Sequence, residues 1–386
     1  MKFSLSVCEF NPLHNGHLKL ISEMKRSGDA VIIIMGGNFC QRGEAAILDK
    51  YTRARHAILA GADIVFELPA VFATSPAEIF AKGAIKLLNE IEGEKTLFFG
   101  AESGDRSAFL TTADIMTKES KEFKRVLKDY LSTGIPFAEA REKALVETEE
   151  VDLSLLKTPN SVLGVEYCKA IKFFRSDMDI HPILREDNYN DESLSGECCS
   201  ALAVRSAIEG GKKKKVKKYL PSFVYEDLPE TLPDVGELTV YAAIRSSSKD
   251  LKEITDCSEG LENRIKVLAR DCKDLKTLID RLETRRYTRR RIARILTNNL
   301  LGITRDFSDK CLRSDLYLKV LAVNEDRKDL LSLKSGRAPF LTRKSDVDGL
   351  GGIAKECFLK DVFASDVFSL VTGKRYNEYE MKTIKS

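Results

Sequence analysis

Nowhere in the 386 residues is there an apolar run approaching the length that spans a bilayer, roughly 20 residues, so no transmembrane helix is expected. The N-terminus lacks a charged region followed by a hydrophobic stretch and cleavage site, which predicts no secretory signal and a cytoplasmic protein. The nine cysteines form no CxxC pair and are odd in number, and Cys198-Cys199 is adjacent rather than spaced for zinc. They read as reduced thiols, several of them core residues, and no structural metal site is expected. Internal repeats are absent, and histidine is scarce at four residues, so where the histidines fall is informative.

What is present fits a globular chain: 43% hydrophobic and 31% charged residues. The length exceeds what one core usually sustains, so two domains are expected. Apolar runs suited to buried parallel strands occur at 3–8, 30–35, 63–68 and 96–99, with helix-patterned stretches near 16–27, 50–61 and 76–91 between them. That alternation predicts an α/β fold, a Rossmann-like doubly wound parallel sheet with ligands at the carboxyl ends of its strands. Residues 106–150 read as a helical excursion. Residues 180–185 offer another strand, followed by a loop and a helix from Ser200. Beyond about residue 215 no strand rhythm is evident, so a helical domain is expected over 213–386, after a catalytic domain over 1–212.

Two of the four histidines lie directly after the first strand, in Glu9-Phe-Asn-Pro12-Leu-His14-Asn-Gly16-His17. Pro12 ends the strand. Gly16 lets a ligand approach the backbone where a helix begins, and the free N–H groups and dipole of that helix start favour phosphate. His14 and His17, three residues apart, share a face from which both can donate to one phosphate group. A single such histidine would read as a helix cap with a partly buried ring; the whole run favours the functional reading.

Other segments fall where strand ends converge. Gly36-Gly37-Asn38-Phe39 follows the second strand, and Gln41-Arg42-Gly43-Glu44 continues that loop, with Arg42 a candidate for phosphate or nucleic acid. Gly100 ends the fourth strand ahead of Ala101-Glu102-Ser103-Gly104, a candidate adenine or ribose shelf. Spacing alone favours Asn160, in Thr158-Pro-Asn-Ser161, as a helix cap. Ser200-Ala-Leu-Ala-Val-Arg205 joins a candidate N-cap serine to an arginine, suited to a β,γ-phosphate clamp or simply to an amphipathic helix.

The net charge of +3 is modest, but its distribution is uneven. Lys212, Lys213, Lys214 and Lys215 run on to Lys217 and Lys218 without an acid, and residues 281–294 hold seven arginines against Glu283. If helical, Arg286, Arg290 and Arg294 would form one stripe, with Arg289 beside it. A lone lysine run is usually a solvated face; two dense basic segments point to a polyanion.

The histidine run resembles the HxGH signature of the nucleotidyltransferase superfamily, here as HNGH. Longer strings narrow the likeness: Gly36-Gly-Asn-Phe-Cys-Gln-Arg-Gly43, Asp49-Lys-Tyr-Thr-Arg-Ala54, Gly61-Ala-Asp-Ile-Val-Phe-Glu-Leu-Pro69, Thr158-Pro-Asn-Ser-Val-Leu-Gly164, Glu259-Gly-Leu-Glu-Asn-Arg264 and Arg286-Tyr-Thr-Arg-Arg-Arg-Ile-Ala-Arg294. Together they resemble the bacterial tRNA(Met) cytidine acetate ligase family. The resemblance implies a two-step enzyme. ATP and acetate would give acetyladenylate and pyrophosphate, with Mg²⁺ assisting, and the acetyl group would pass to N4 of the wobble cytidine of elongator tRNA(Met). It implies His14 and His17 as the catalytic pair at the α-phosphate. It also implies an ATP site made of the loop Val7, Cys8, Glu9, Phe10, Asn11, Pro12, Leu13, His14, Asn15, Gly16, His17, Leu18, Lys19 and Leu20, with Gly100, Asn160 and Arg185. Asn160 thereby becomes a ligand rather than a cap. Ser200 and Arg205 fit the superfamily's later motif, but Leu202 stands where that motif carries a threonine, so one phosphate hydroxyl is missing. The basic segments, with Arg42, would dock the tRNA. Two other readings remain at this point: an adenylyltransferase acting on a small phosphate-bearing metabolite, and a non-catalytic RNA-binding protein.

Overall fold

The β-branched run Ala30–Gly36 is buried along its whole length, as a strand covered on both faces must be. In the computed structural model, which describes residues 1–118, 120–135, 137–148, 152–185, 194 and 199–385, this strand lies at the centre of one large sheet. Its main strands are β1 (Lys2–Cys8), β2 (Ala30–Gly36), β3 (Ile64–Leu68), β4 (Glu94–Ala101), β5 (Asp179–Leu184), β6 (Leu318–Asn324) and β7 (Lys382–Ile384), with the short strand Phe340–Leu341 paired to β6 as the eighth. Their spatial order is β7-β6-β3-β2-β1-β4-β5. Strands β1 to β5 are mutually parallel. The chain moves outward from β1 through β2 to β3, then crosses back to β4 and β5 on the other side. The reversal falls between β1 and β4, where an open α/β sheet leaves a crevice at its carboxyl edge.

The connecting helices are α1 (Asn15–Ser27), α2 (Lys50–Leu59) and α3 (Ala77–Asn89). The excursion after β4 is helical, as expected, with α4 (Arg106–Lys118), α5 (Lys121–Ser132) and α6 (Phe137–Thr148) ahead of α7 (Pro159–Phe173). Phe123, Val126, Ala144 and Leu145 give α5 and α6 a small core of their own. After β5, α8 (Ala201–Glu209) begins at Ser200; most of the expected loop between them, including Cys198, lies outside the described residues. The eight described cysteines are all buried.

Two expectations need correction. No strand rhythm is evident beyond residue 215, yet β6 is buried throughout and pairs antiparallel with β3, and β7 then pairs with β6. Lys319 breaks the apolar run of β6 in the sequence. In the fold its ammonium is buried between Glu67 Oε2 at 2.9 Å and Glu378 Oε2 at 2.5 Å, so the charge is compensated by residues far away in the chain. Nor does packing break at 212/213. Val216, Tyr219, Val224 and Leu228 join the same apolar cluster as Leu13, Leu20, Ile33 and Ile58. The separate helical core begins later, in α9 (Gly236–Arg245), α10 (Leu261–Asp271), α11 (Leu275–Leu282) and α12 (Arg289–Leu301), around Ala243, Ile265, Leu278 and Ile292.

Candidate active site

A cavity of roughly 230 Å³ opens at the crevice beside the carboxyl ends of β1 and β4. It is lined by Val7, Cys8, Glu9, Phe10, Asn11, His14, Gly16, His17, Lys19 and Leu20 from the signature loop, and by Gly100, Asn160, Arg185, Ser200 and Arg205. Gln41, Arg42 and Leu202 also reach it. Residues separated by almost 200 positions therefore meet in one place. Pro12, Leu13, Asn15 and Leu18 are not among the lining residues: Leu13 is wholly buried in the apolar core, and Asn15 Nδ2 donates to the Lys218 carbonyl at 3.1 Å.

The two imidazoles hold one another through the backbone. His14 is the N-cap of α1, and its Nδ1 accepts from the Gly16 N–H at 3.1 Å. His17 Nδ1 accepts in turn from the His14 N–H at 3.2 Å. A neutral imidazole whose Nδ1 accepts carries its proton on Nε2, so both rings are set as Nε2–H donors. The ring centroids are 3.8 Å apart. Burial, the neighbouring His14 and the Arg185 charge together keep His17 well below the usual imidazole range, and hence neutral at pH 7. The capping reading of His14 thus holds, and capping through Nδ1 leaves Nε2–H of the same ring as a donor. A Cβ at Gly16 would lie 2.9 Å from His14 Cε1, so glycine makes room for this ring as well as leaving the helix start open.

The loop around the pair is tied down from several sides. Asn11 Oδ1 accepts from the Ile47 N–H, and its carbonyl accepts from Arg205 Nη1 at 2.7 Å. Arg205, mostly buried, also pairs with Glu44 at 2.9 Å. The fully buried Arg53 donates to the carbonyls of Leu48, Glu9, Gly36 and Gly37, joining the ends of β1 and β2. Glu9 Oε1 accepts from the Gln41 N–H at 2.6 Å. Burial pushes the Cys8 thiol up to about 12, which favours the protonated form at neutral pH.

On the opposite wall the Arg185 side chain crosses Gly100, where a Cβ would meet its Cγ and Cδ at 3.2 Å. The N-cap of α7 is Thr158, not Asn160, which corrects the cap reading drawn from spacing. Asn160 Nδ2 instead donates to Glu102 Oε1 at 2.9 Å, while Glu102 Oε2 accepts from the N–H and Oγ of Ser161. Glu102, expected on a nucleotide shelf, works as the anion at a helix start, and these bonds hold its carboxyl below the usual range despite partial burial. Ser200 caps α8, its Oγ accepting from the Ala203 N–H at 3.0 Å.

The basic segments flank this cavity without forming the expected stripe. Arg286 precedes α12 and pairs with Glu259, and Arg289 pairs with Asp280 and Glu283. Arg294 is largely buried, with Asp256 at 4.0 Å. Helix α12 nevertheless packs on the cavity loop: Thr297 Oγ1 donates to the Gly43 carbonyl, and a Cβ at Gly43 would strike the backbone of Ala293 and Arg294. Lys213 pairs with Glu230, whereas Lys212, Lys214 and Lys215 are exposed on a turn of 3₁₀ helix whose Lys218 carbonyl holds Asn15.

Sequence reading missed Arg53 and the role of Glu102. Arg53 lay inside a recognised string, but nothing local marks an arginine that serves only backbone carbonyls. Glu102 acts on a helix start 58 residues away.

A family model described as HIGH Nucleotidyl Transferase matches residues 1–383. A tRNA(Met) cytidine acetate ligase of Caldanaerobacter subterraneus subsp. tengcongensis is 38% identical, across 94% of each chain. Another from Clostridium novyi is 37% identical, across 84% of this chain and 85% of its own. Among solved structures, apo Thermotoga maritima TmcAL matches over 100% of both chains, at 28% identity and a TM-score of 0.93. The same protein bound with alpha-thio ATP matches with a TM-score of 0.91.

Proposed function

The chain belongs to the HIGH nucleotidyl transferase family and, within it, to the tRNA(Met) cytidine acetate ligases, and from that premise we propose how its residues divide a two-step reaction. ATP binds across the crevice, with its phosphates at the start of α1. The acetate carboxylate attacks the α-phosphorus, pyrophosphate leaves, and acetyladenylate forms. His14 and His17 donate from Nε2 to the α-phosphate as negative charge gathers in the transition state; no covalent enzyme intermediate is needed. Asn160, Gly100 and Arg185 hold the nucleoside side, and Ser200 and Arg205 the β,γ-phosphate side. The cytidine N4 amine of elongator tRNA(Met) then takes the acetyl group and AMP leaves.

The observation that carries this reading is the reciprocal His14–His17 cap inside a cavity that also gathers Gly100, Asn160 and Arg185. Mg²⁺ fits as an ion carried on the triphosphate. Among the described residues no group of three His, Cys, Asp or Glu side chains is arranged to hold a metal, and Mg²⁺ binds largely through substrate phosphates and water. When bound it would neutralise charge on the departing pyrophosphate.

Both basic segments support tRNA docking over this opening, since one touches the signature loop through Asn15 and the other abuts Gly43. Mass spectrometry of tRNA nucleosides after incubation with ATP and acetate tests the function. N4-acetylcytidine that depends on both supports it. Pyrophosphate release indifferent to acetate would count against it.

A further inference from the structure

The second step needs a group that the first does not. The lone pair of a cytosine N4 amine is delocalised into the ring, so its attack on a carbonyl is helped by a base that removes a proton as the new bond forms. The imidazoles are poor candidates, because each Nδ1 is occupied by a backbone N–H and each Nε2 carries the proton. Cys8 is held as a thiol.

Glu9 is differently placed. It follows β1 directly and lines the same cavity as His14 and His17. Its backbone is pinned by Arg53, and Oε1 is pinned by the Gln41 N–H at 2.6 Å. The second carboxylate oxygen has no hydrogen-bond donor among the described residues, and the side chain is only partly buried where it lines the cavity. Arg205, a nearby cation, is engaged with Glu44 and the Asn11 carbonyl. A carboxylate with one fixed and one open oxygen presents an acceptor of defined direction, and carboxylates accept from cytosine N4.

We propose that Glu9 is the catalytic base of acetyl transfer: its Oε2 accepts a hydrogen bond from the cytidine N4 amine and takes its proton. The N4–C bond to the acetyl carbon forms, and the bond from that carbon to the phosphate oxygen breaks. AMP leaves with the electron pair, and one N4 proton ends on Glu9, to be lost to water on product release. The same contact selects cytosine, since uracil offers a carbonyl at that position. Burial, with the Glu44 charge, raises the Glu9 carboxyl above its ordinary value against the opposing Gln41 hydrogen bond and the Arg205 and Arg42 charges. That is the direction that makes a carboxylate a better base.

This assignment rests on the proposed two-step function, so its test starts from chemically prepared acetyladenylate and tRNA, under single turnover at saturating tRNA. For the wild-type enzyme the transfer rate should rise with pH through one ionisation and then level. Glu9→Gln keeps the bond to Gln41 and should lower the plateau by about 100-fold or more and abolish the acid limb. Glu9→Asp should keep the limb at a reduced rate. Glu9→Gln within about five-fold of wild type, or with the limb intact, would reduce Glu9 to an anchor of the Gln41 loop and overturn the proposal. No transfer by the wild-type enzyme would overturn the two-step function and this role with it.

Discussion

Glu102 and Asn160 form one unit: the carboxylate accepts from the Asn160 side chain at 2.9 Å and from the first turn of α7 beneath it. Asn160, which lines the cavity, is thereby fixed by a residue that does not. Hydrogen bonds to a charged group contribute about 1.5–3 kcal/mol. Glu102→Ala should therefore raise the ATP requirement by roughly ten-fold or more, and Asn160→Ala should do the same by removing the contact itself. Titrating ATP in acetate-dependent pyrophosphate exchange measures both. If thermal stability falls in either variant with no change in ATP affinity, the pair is structural only.

His14 has two jobs that substitution can separate. His14→Ala removes both the α1 cap and the Nε2 donor, whereas His14→Asn restores a good N-cap and leaves the donor missing. Both variants, and His17→Ala, should lose acetyladenylate formation by about 100- to 1000-fold, the usual cost of removing a group that stabilises transition-state charge. Near-native melting of His14→Asn with that loss intact would separate chemistry from capping; recovery of activity would assign His14 to the cap alone. His17 is held neutral well below the usual imidazole range. Acetyladenylate formation should accordingly show no decline from imidazolium loss as pH rises through 6.5, the ordinary histidine value.

Behind the site, Lys50, Glu67, Lys319 and Glu378 form a closed ring of buried charges, with Lys50 Nζ 2.7 Å from Glu67 and 2.6 Å from Glu378. The ring fastens the C-terminal segment against α2 and β6. Removing one member leaves a buried charge short of a partner, which costs about 3–5 kcal/mol. Glu378→Gln should lower the melting temperature clearly, and its acid dependence has a definite sign. The two ammonium groups hold the Glu378 carboxyl down at about 2, from an ordinary 4.5. Its stabilisation is complete above pH 4.5 and is lost as pH falls through about 2. The melting gap between wild type and Glu378→Gln should stay wide from pH 6 to 8 and narrow below 4.5. A gap that does not change with acid would mean that the ring is held by packing, not charge.

Local rules carried the reading furthest where local chemistry decides the outcome. The runs at 3–8, 30–35 and 96–99 mark strands to within a few residues because a strand buried on both faces needs little beyond apolar residues. The signature loop was legible because a strand, a proline, a glycine and two histidines constrain one short turn. Reading failed where a residue answers to a distant partner. Lys319 disguises β6 because Glu67 and Glu378 neutralise it only in the fold. Asn160 looked like a cap because its link to Glu102 spans 58 positions. Arg286 was counted into a helical stripe because four-residue spacing cannot show that α12 begins at Arg289.

The tRNA surface is the place where charge counting and structure differ most, and it gives the last prediction. Among the candidate arginines, Arg286 and Arg289 pair with Glu259, Asp280 and Glu283 on the exposed surface of the helical unit. Lys212, Lys214 and Lys215 are exposed beside the signature loop, and Arg42 lines the cavity itself. A phosphate contact contributes to affinity and to its salt dependence, each one neutralised adding somewhat less than one to the logarithmic salt slope. Replacing Lys212, Lys214 and Lys215 together by alanine should weaken tRNA binding and flatten that slope by about two units. Arg286→Ala should change the slope little, because its charge is already met by Glu259, and should cost at most about 1 kcal/mol of stability. Filter binding or fluorescence anisotropy from 50 to 300 mM salt distinguishes the two variants, with acetyladenylate formation in the absence of tRNA as the control for an intact ATP site. A flatter slope for Arg286→Ala than for the triple lysine variant would move the docking surface from the 3₁₀ turn to the α12 side of the opening.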